Sequence, residues 1–469
     1  MTKRNELPVL IISLVVTFIT LGGGALFIGE RLFSSDGEPG TEEPRARGGT
    51  ARSSKKDLSE QEIVSLIPQL ASPARDSGIE ALSNQDYEKA KTELEAALNN
   101  KPNDPEARIY LNNAEIGDGE AYEIALIAPT SDIDATQELM RGAAQAQGEI
   151  NARGGINGTP LKIIIVDDGD DKERVASVAA EIVSDEDILG TIGHFSSGTT
   201  LEAIDTYEKG KLTMISPTST SVEISGAGDY IFRTVPSDRA AATTLARYAM
   251  EDLNKQKATV FYNGDNVYSL SFKGEFVQEI VTGEGEIVAE FDIAAPGFNM
   301  ANAMQTSQAA GADMIMMALT LNPIDAPLQV ISLNQGRVPL LGSDSLYSSR
   351  ILSVGGENAL GMTVAVPWHV LNHLENRFVL AANDLWKGAS VNWRTVTAYD
   401  AAIVLAAGIE ADPTREGVAR AIAAAGFEEE GATEPVRFLS TGDRSQPSQL
   451  VEIEAGSISG FGYDFVPVQ

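Results

Sequence analysis

The chain has no cysteine among its 469 residues. That absence removes disulfides, a thiolate nucleophile, Cys-ligated zinc and the lipid-acceptor cysteine of a bacterial lipoprotein. Histidine is nearly as scarce, with only His194, His369 and His373. His369 and His373 have the spacing of a metal-binding helix, but Val370 stands where a zincin glutamate would be, so all three are assigned to packing or surface roles and no metal is expected. Positive charge is short as well: 35 Lys and Arg face 67 Asp and Glu, a formal net charge of −32. No Lys/Arg-rich stripe offsets an excess that repels phosphate backbones, which excludes nucleic acid as a partner. There is no P-loop, and GGINGTP at Gly154 lacks the preceding strand and following helix of a dinucleotide fingerprint, so no cofactor is expected. The acidic run DDGDD at Asp167–Asp171 lacks the glycine and terminal glutamate of a calcium loop in register. It reads as solvated carboxylates at a helix start.

What is present begins with one long apolar run. Between Glu6 and Glu30 lie 23 consecutive uncharged residues, enough at about 1.5 Å per residue to cross a hydrocarbon core of roughly 30 Å. The run exceeds the 7 to 15 residues usual for a signal-peptide core and is followed by GERLFSSDG rather than a small-residue cleavage site. Residues 7–29 are therefore expected to be an uncleaved, single-pass membrane anchor, with a signal segment as the alternative, and the bulk of the chain is expected outside the cytoplasm. Residues 30–57 mix Gly, Pro, Ser and charge with almost no large apolar side chain and read as a flexible linker.

Residues 58–119 form a helical segment. Ile79 and Leu82, then Tyr87, Ala90, Leu94, Ala97 and Leu98, recur at helical spacing on either side of the polar SNQD turn, and Pro102 stops the pattern. The two helices so defined resemble one tetratricopeptide repeat, with Asp104-Pro105-Glu106-Ala107 opening the next helix and Asn84 in place of the usual glycine. One repeat is too few for a self-standing solenoid, which favours a helical spacer or cap over a partner-binding array, although a protein partner at this segment stays open.

From Tyr122 the pattern changes to short apolar runs, such as YEIALIAP, LKIIIVDD and ILGTIGHF, alternating with helix-period segments. This is the signature of βαβ units on parallel sheets covered on both faces, so the remainder is α/β. Its size calls for two doubly wound lobes rather than one core. Ligands bind beyond the carboxyl ends of such strands, which selects the loops after Phe195, Ile215, Tyr262, Leu319 and Leu341. Ser196 to Thr199 open a helix whose first amides can hold a carboxylate. Pro217 to Ser221 offer hydroxyls and exposed backbone. Asp344 is the one fixed negative charge among these ends. A carboxylate-binding nest opposite an acid suits a zwitterion.

From Ala121 onward the chain resembles the leucine/isoleucine/valine-binding type of periplasmic solute receptor, the type I Venus flytrap family. The resemblance rests on ALIAPTSDIDATQELMRGAAQAQGEINARGGINGTPLKIIIVDD, IGHFSSGTTLEAIDTYEKGKLTMISPTSTS, YIFRTVPSD, GSDSLYSS and TAYDAAIVLAAGI. It implies two discontinuous lobes, 121–237 with 368–440 and 238–367 with 441–469, joined by three crossings. It implies that Ser197 and Thr220 hold an amino acid's carboxylate, that the Thr218 carbonyl and Asp344 hold its ammonium, and that Tyr268 closes over it. It departs at TLNPIDAP, where Thr320 and Leu321 replace an aromatic residue frequent in the family. The implied function is that of an extracytoplasmic binding protein for an amino acid, amide or small zwitterion, delivering it to the permease subunits of an ABC uptake transporter. The alternative is a membrane-anchored sensor or scaffold that signals through a protein partner. No nucleophile–base pair is apparent, and an enzyme is not expected.

Overall fold

The computed structural model of the protein describes residues 65–320 and 325–468. The apolar run 7–29 and the linker 30–57 lie outside these residues. Among the described residues no helix is long and apolar enough to cross a membrane.

Among the described residues a short 3-10 turn, Pro68–Leu70, is followed by three α-helices, Pro73–Ser83, Tyr87–Asn100 and Pro105–Ile116. Each has a side chain capping its start: Ser72, Asp86 and Asp104 accept the amides of Arg75, Lys89 and Ala107, satisfying donors that a helix start leaves without an intrahelical partner. Ile79, Leu82, Ala90, Leu94, Leu98 and Tyr110 form their shared core. A buried charge cluster closes one end. The Arg75 guanidinium donates to Asp104 (3.0 Å) and to the Ile67 carbonyl (2.8 Å), while Glu106 accepts the Leu66 and Ile67 amides at 2.7 and 3.2 Å. Burial pushes the Glu106 carboxyl up, against the pull of the Leu66 amide and the Arg75 charge.

The α/β part holds two large sheets. The first consists of β1 (Tyr122–Ile127), β2 (Leu161–Val166), β3 (Ile188–Ile192), β4 (Thr213–Ser216) and β5 (Ile231–Arg233). They are all parallel in the order β2-β1-β3-β4-β5. The second contains β6 (Lys257–Tyr262), β7 (Glu286–Asp292), β8 (Met314–Ala318), β9 (Leu340–Gly342) and β10 (Thr363–Val366). These repeat the same winding in the order β7-β6-β8-β9-β10. A short pair, β11 (Glu429–Glu430) and β12 (Pro435–Val436), stands apart, and β13 (Gln449–Ala455) and β14 (Tyr463–Pro467) extend the second sheet antiparallel beyond β10. Nearly every residue of β1, β4, β8 and β10 is buried, as continuous apolar runs covered on both faces require. In each sheet the order reverses beside the first strand, and there the crevice opens.

The third helix of the N-terminal segment docks on the first sheet. Asn113 donates to the Ile163 carbonyl (2.8 Å) and accepts the Ile163 amide (3.3 Å), while Gln147 donates to Asn113 at 2.7 Å. An edge strand, β2, thereby has part of its unpaired backbone satisfied by a side chain.

The expectation of solvated carboxylates at DDGDD is corrected at Asp168. It is fully buried and bonded to His194 Nδ1 at 2.6 Å, and His194 Nε2 lies 3.0 Å from the Tyr207 hydroxyl. Burial pushes the Asp168 carboxyl up, but the hydrogen bond and charge of His194 outweigh it and hold the group below its ordinary range. Fully enclosed, the three groups fasten the end of β2 to the loop after β3.

Candidate ligand-binding cleft

The carboxyl ends of the two sheets border a cleft of about 830 Å³. One wall comes from the first sheet. The loop after β3 leads into the helix Ser197–Gly210, capped by Ser196, whose hydroxyl accepts the Thr199 amide. Ser197 and Gly198, in the first turn, line the cleft. The Ser197 hydroxyl accepts the Ser221 amide (3.2 Å), which joins this loop to the one after β4. Thr218 lines the cleft and donates to the Phe195 carbonyl at 2.7 Å. Behind it, fully buried Arg233 donates to the carbonyls of Ser219 (3.2 Å) and Ser221 (2.8 Å) and to Asp443 (2.7 Å).

The opposite wall comes from the second sheet. Tyr268 stands in the first turn of the helix Val267–Thr282, where the Asn266 cap and the bond from the Asn263 amide to Ser269 (2.7 Å) set the approach. Its hydroxyl donates to the Asp344 carboxylate just beyond β9. Both side chains are nearly buried, with exposures of 7% and 5%. Burial raises the Asp344 carboxyl above its ordinary value, while the Tyr268 hydrogen bond and the charge of Arg394 pull it back. Burial, with the Asp344 charge, raises the Tyr268 phenol.

Ser197, Thr218, Tyr268 and Asp344 thus line one cleft. Thr220 does not line it. With the carbonyls of Ser219 and Ser221 held by Arg233, the Thr220 carbonyl accepts the Asp238 amide (2.8 Å) and the residue is buried at 4% exposure. Asp238, completely buried, has its carboxyl pushed up to about 7, chiefly by burial and also by the Asp344 charge, against the hydroxyls of Ser271 and Thr220 and the charge of Arg233.

Several lining residues escaped the sequence reading. Lys172, Trp393 and Arg394 line the cleft as well, and no motif in the sequence singles them out as site residues. The Arg394 guanidinium stacks on the buried Trp393 ring, 4.2 Å from its centroid. The only available signal was the sign of the charges: Lys172 and Arg394 are cations in first turns, where the helix dipole disfavours them. His369, with its ring pushed down to about 4 by burial and by His373, packs edge-on against Tyr347, and His373 stacks on Trp368.

The sequence profile of the periplasmic binding protein family matches residues 122–457, and the chain belongs to that family. Its fold is the mixed α/β, parallel-sheet fold of the type I members. The leucine-specific-binding protein of Salmonella typhimurium is 28% identical over 227 residues, 48% of this chain and 61% of that protein, so the chain spans about three fifths of that relative's length. The leucine-, isoleucine-, valine-, threonine- and alanine-binding protein of Pseudomonas aeruginosa is 28% identical over 317 residues, 66% of this chain and 84% of that one. A leucine-binding protein of Thermotoga maritima superposes with a TM-score of 0.64 at 20% identity, covering 74% of this chain and 98% of its own. The names of these relatives are those of amino-acid-binding proteins.

Proposed function

We propose that the chain is the extracytoplasmic substrate-binding protein of an ATP-driven uptake transporter, and that it takes an amino acid or a related small zwitterion. One observation carries this reading: the first-turn residues Ser197 and Gly198, with hydroxyls and amides suited to a carboxylate, share a cleft with the Tyr268–Asp344 pair, suited to an ammonium. Asp344 is the counter-charge, and the Tyr268 hydroxyl holds it in place while favouring its ionised form. The Thr218 carbonyl is the second acceptor for the ammonium. Thr220 supports the carboxylate loop from behind rather than touching the ligand.

The lobes are 121–237 with 368–440 and 238–367 with 441–469, and rotation about the three crossings closes them on the ligand. Closure expels water, strengthens both ion contacts and gives the permease a form to distinguish from the open one. Residues 7–29 anchor the chain to the membrane. The binding branched-chain relatives and the family profile support this reading.

A sensor function is the second reading, and the docking of the helical segment on β2 through Asn113 favours it, since lobe motion would reach that segment directly. Calorimetric titration of the full chain with amino acids, their amides and short carboxylates tests the first reading. Saturable binding of at least one amino acid is expected, and binding of none, in a folded sample, rejects it. An uptake defect on deletion with a co-purifying permease supports transport; capture of a signalling protein by the helical segment supports the sensor.

A further inference from the structure

Three cations line the cleft, Lys172, Arg350 and Arg394, and none of them forms an ion pair among the described residues. Lys172 and Arg350 are exposed to solvent, which satisfies their charge, whereas Arg394 is half-buried. Arg394 is the most constrained. Its amide is held by the Asn392 cap at 2.9 Å, its guanidinium lies on Trp393, which is 1% exposed, and its Nε is buried without a hydrogen-bond partner. Glu138, an acid beside the start of the same helix, is already engaged by Arg141 and the Thr395 hydroxyl. The Arg394 charge is felt at Asp344 on the opposite wall.

Arg394 also borders a second cavity of about 420 Å³ that shares Asp132, Asp134 and Ser348 with the main cleft. It therefore stands where a ligand's side chain would leave the part of the site that holds the α-carboxylate and ammonium. A stacked guanidinium presents a rigid fork matched to a carboxylate, and although Asp132, Asp134 and Asp344 line the same cleft, none of them forms an ion pair with Arg394 among the described residues. Lys172 is placed for the other carboxylate: its ammonium lies beside Gly198, 3.8 Å from where a Cβ on that glycine would sit.

Resting on the amino-acid reading above, we propose that the ligand is an amino acid whose side chain ends in a second carboxylate, and that Arg394 is the residue that selects it. Lys172 and the start of the helix Ser197–Gly210 hold the α-carboxylate, Asp344 holds the ammonium, and Arg394 holds the distal carboxylate in bidentate fashion.

The test is calorimetry on the full chain with glutamate, aspartate, glutamine and leucine, using the parent, Arg394→Gln and Arg394→Lys, each checked for a parent-like melting curve. The parent is expected to bind glutamate or aspartate at least about tenfold more tightly than leucine or glutamine. Arg394→Gln should weaken the acidic ligand by about ten- to a hundredfold and change glutamine by less than about threefold. Arg394→Lys should recover part of the loss, because a point charge lacks the fork. Leucine binding as tightly as glutamate, or an acidic ligand indifferent to Arg394→Gln, overturns the proposal and leaves the amino-acid reading standing. Binding of no amino acid overturns both.

Discussion

The two walls of the cleft are built on sheets with the same winding, yet they hold their polar groups differently. On the first-sheet side the hydroxyls are neutral and already tied to their own chain, Thr218 to the Phe195 carbonyl and Ser197 to the Ser221 amide. On the second-sheet side the polar function is concentrated in one buried carboxylate, Asp344, steadied by Tyr268. The first wall is redundant, since several amides, hydroxyls and Lys172 address the same space. The second also presents Asp265 and Asp325, but these are exposed, and Asp344 is the one buried carboxylate lining that wall. Outside the cleft the asymmetry reverses: the first sheet has its β2 edge braced by an appended helix, whereas the second continues into its own β13 and β14.

The largest expected effect falls on the buried charge. Asp344→Asn keeps the shape but leaves a ligand ammonium buried without its counter-charge, costing about 2 to 5 kcal/mol, so affinity measured by calorimetry should fall by about thirtyfold to several thousandfold. Parent-like affinity in a variant that melts normally would erase the contrast between the walls and favour a ligand without an ammonium.

Next comes the brace. Removing all residues before Glu120 strips the Asn113 contacts from Ile163 and leaves Gln147 without its Asn112 and Asn113 partners. Denaturant unfolding should show a loss of about 2 to 4 kcal/mol. Ligand affinity should change by less than about threefold, because none of the cleft-lining residues precedes Ser131. A tenfold loss of affinity would show that the brace reaches the cleft.

Asp238 sits at the seam between the walls, its amide on Thr220 and its carboxyl near Ser271. Because its folded value is raised from 3.8 to about 7, the ionised form is the disfavoured one. Its contribution to stability is fully present below about pH 4, is lost as pH rises towards 7, and is constant above that. Asp238→Asn should therefore raise stability by about 1 to 3 kcal/mol at pH 8 and leave it unchanged near pH 4. Equal effects at both pH values would show that this carboxyl does not titrate at the seam.

The smallest effect tests the redundant wall. Ser197→Ala removes one hydroxyl while the neighbouring amides remain, at a cost of about 1 to 2 kcal/mol, or about five- to thirtyfold in affinity. A loss as large as that of Asp344→Asn would show that the first wall also depends on one group.

How far the site could be read follows from where its signals lie. Ser197, Thr218 and Asp344 follow apolar runs whose length and β-branched content identify buried strands, and in a doubly wound sheet the strand end is also the ligand edge. Tyr268 came from the family resemblance. Thr220 was misplaced because its direction depends on Arg233, which holds the carbonyls on either side of it from a later strand. Asp168 passed for a surface acid because its partner His194 lies beyond the next helix.

By itself, the sequence determined the alternation of strand and helix, the helix starts marked by Ser72, Asp86, Asp104 and Ser196, and the absence of metal-ligating thiolates and of any basic face for nucleic acid. These are local or compositional properties, set by residues within a turn or two of one another. Only the tertiary structure decided which charges are buried, which loops meet at the cleft, and that Arg394 and Asp344 confront each other across it. Burial and electrostatic pairing depend on the distance between side chains in space, and in this fold that distance is set by how two separately wound sheets bring their strand ends together.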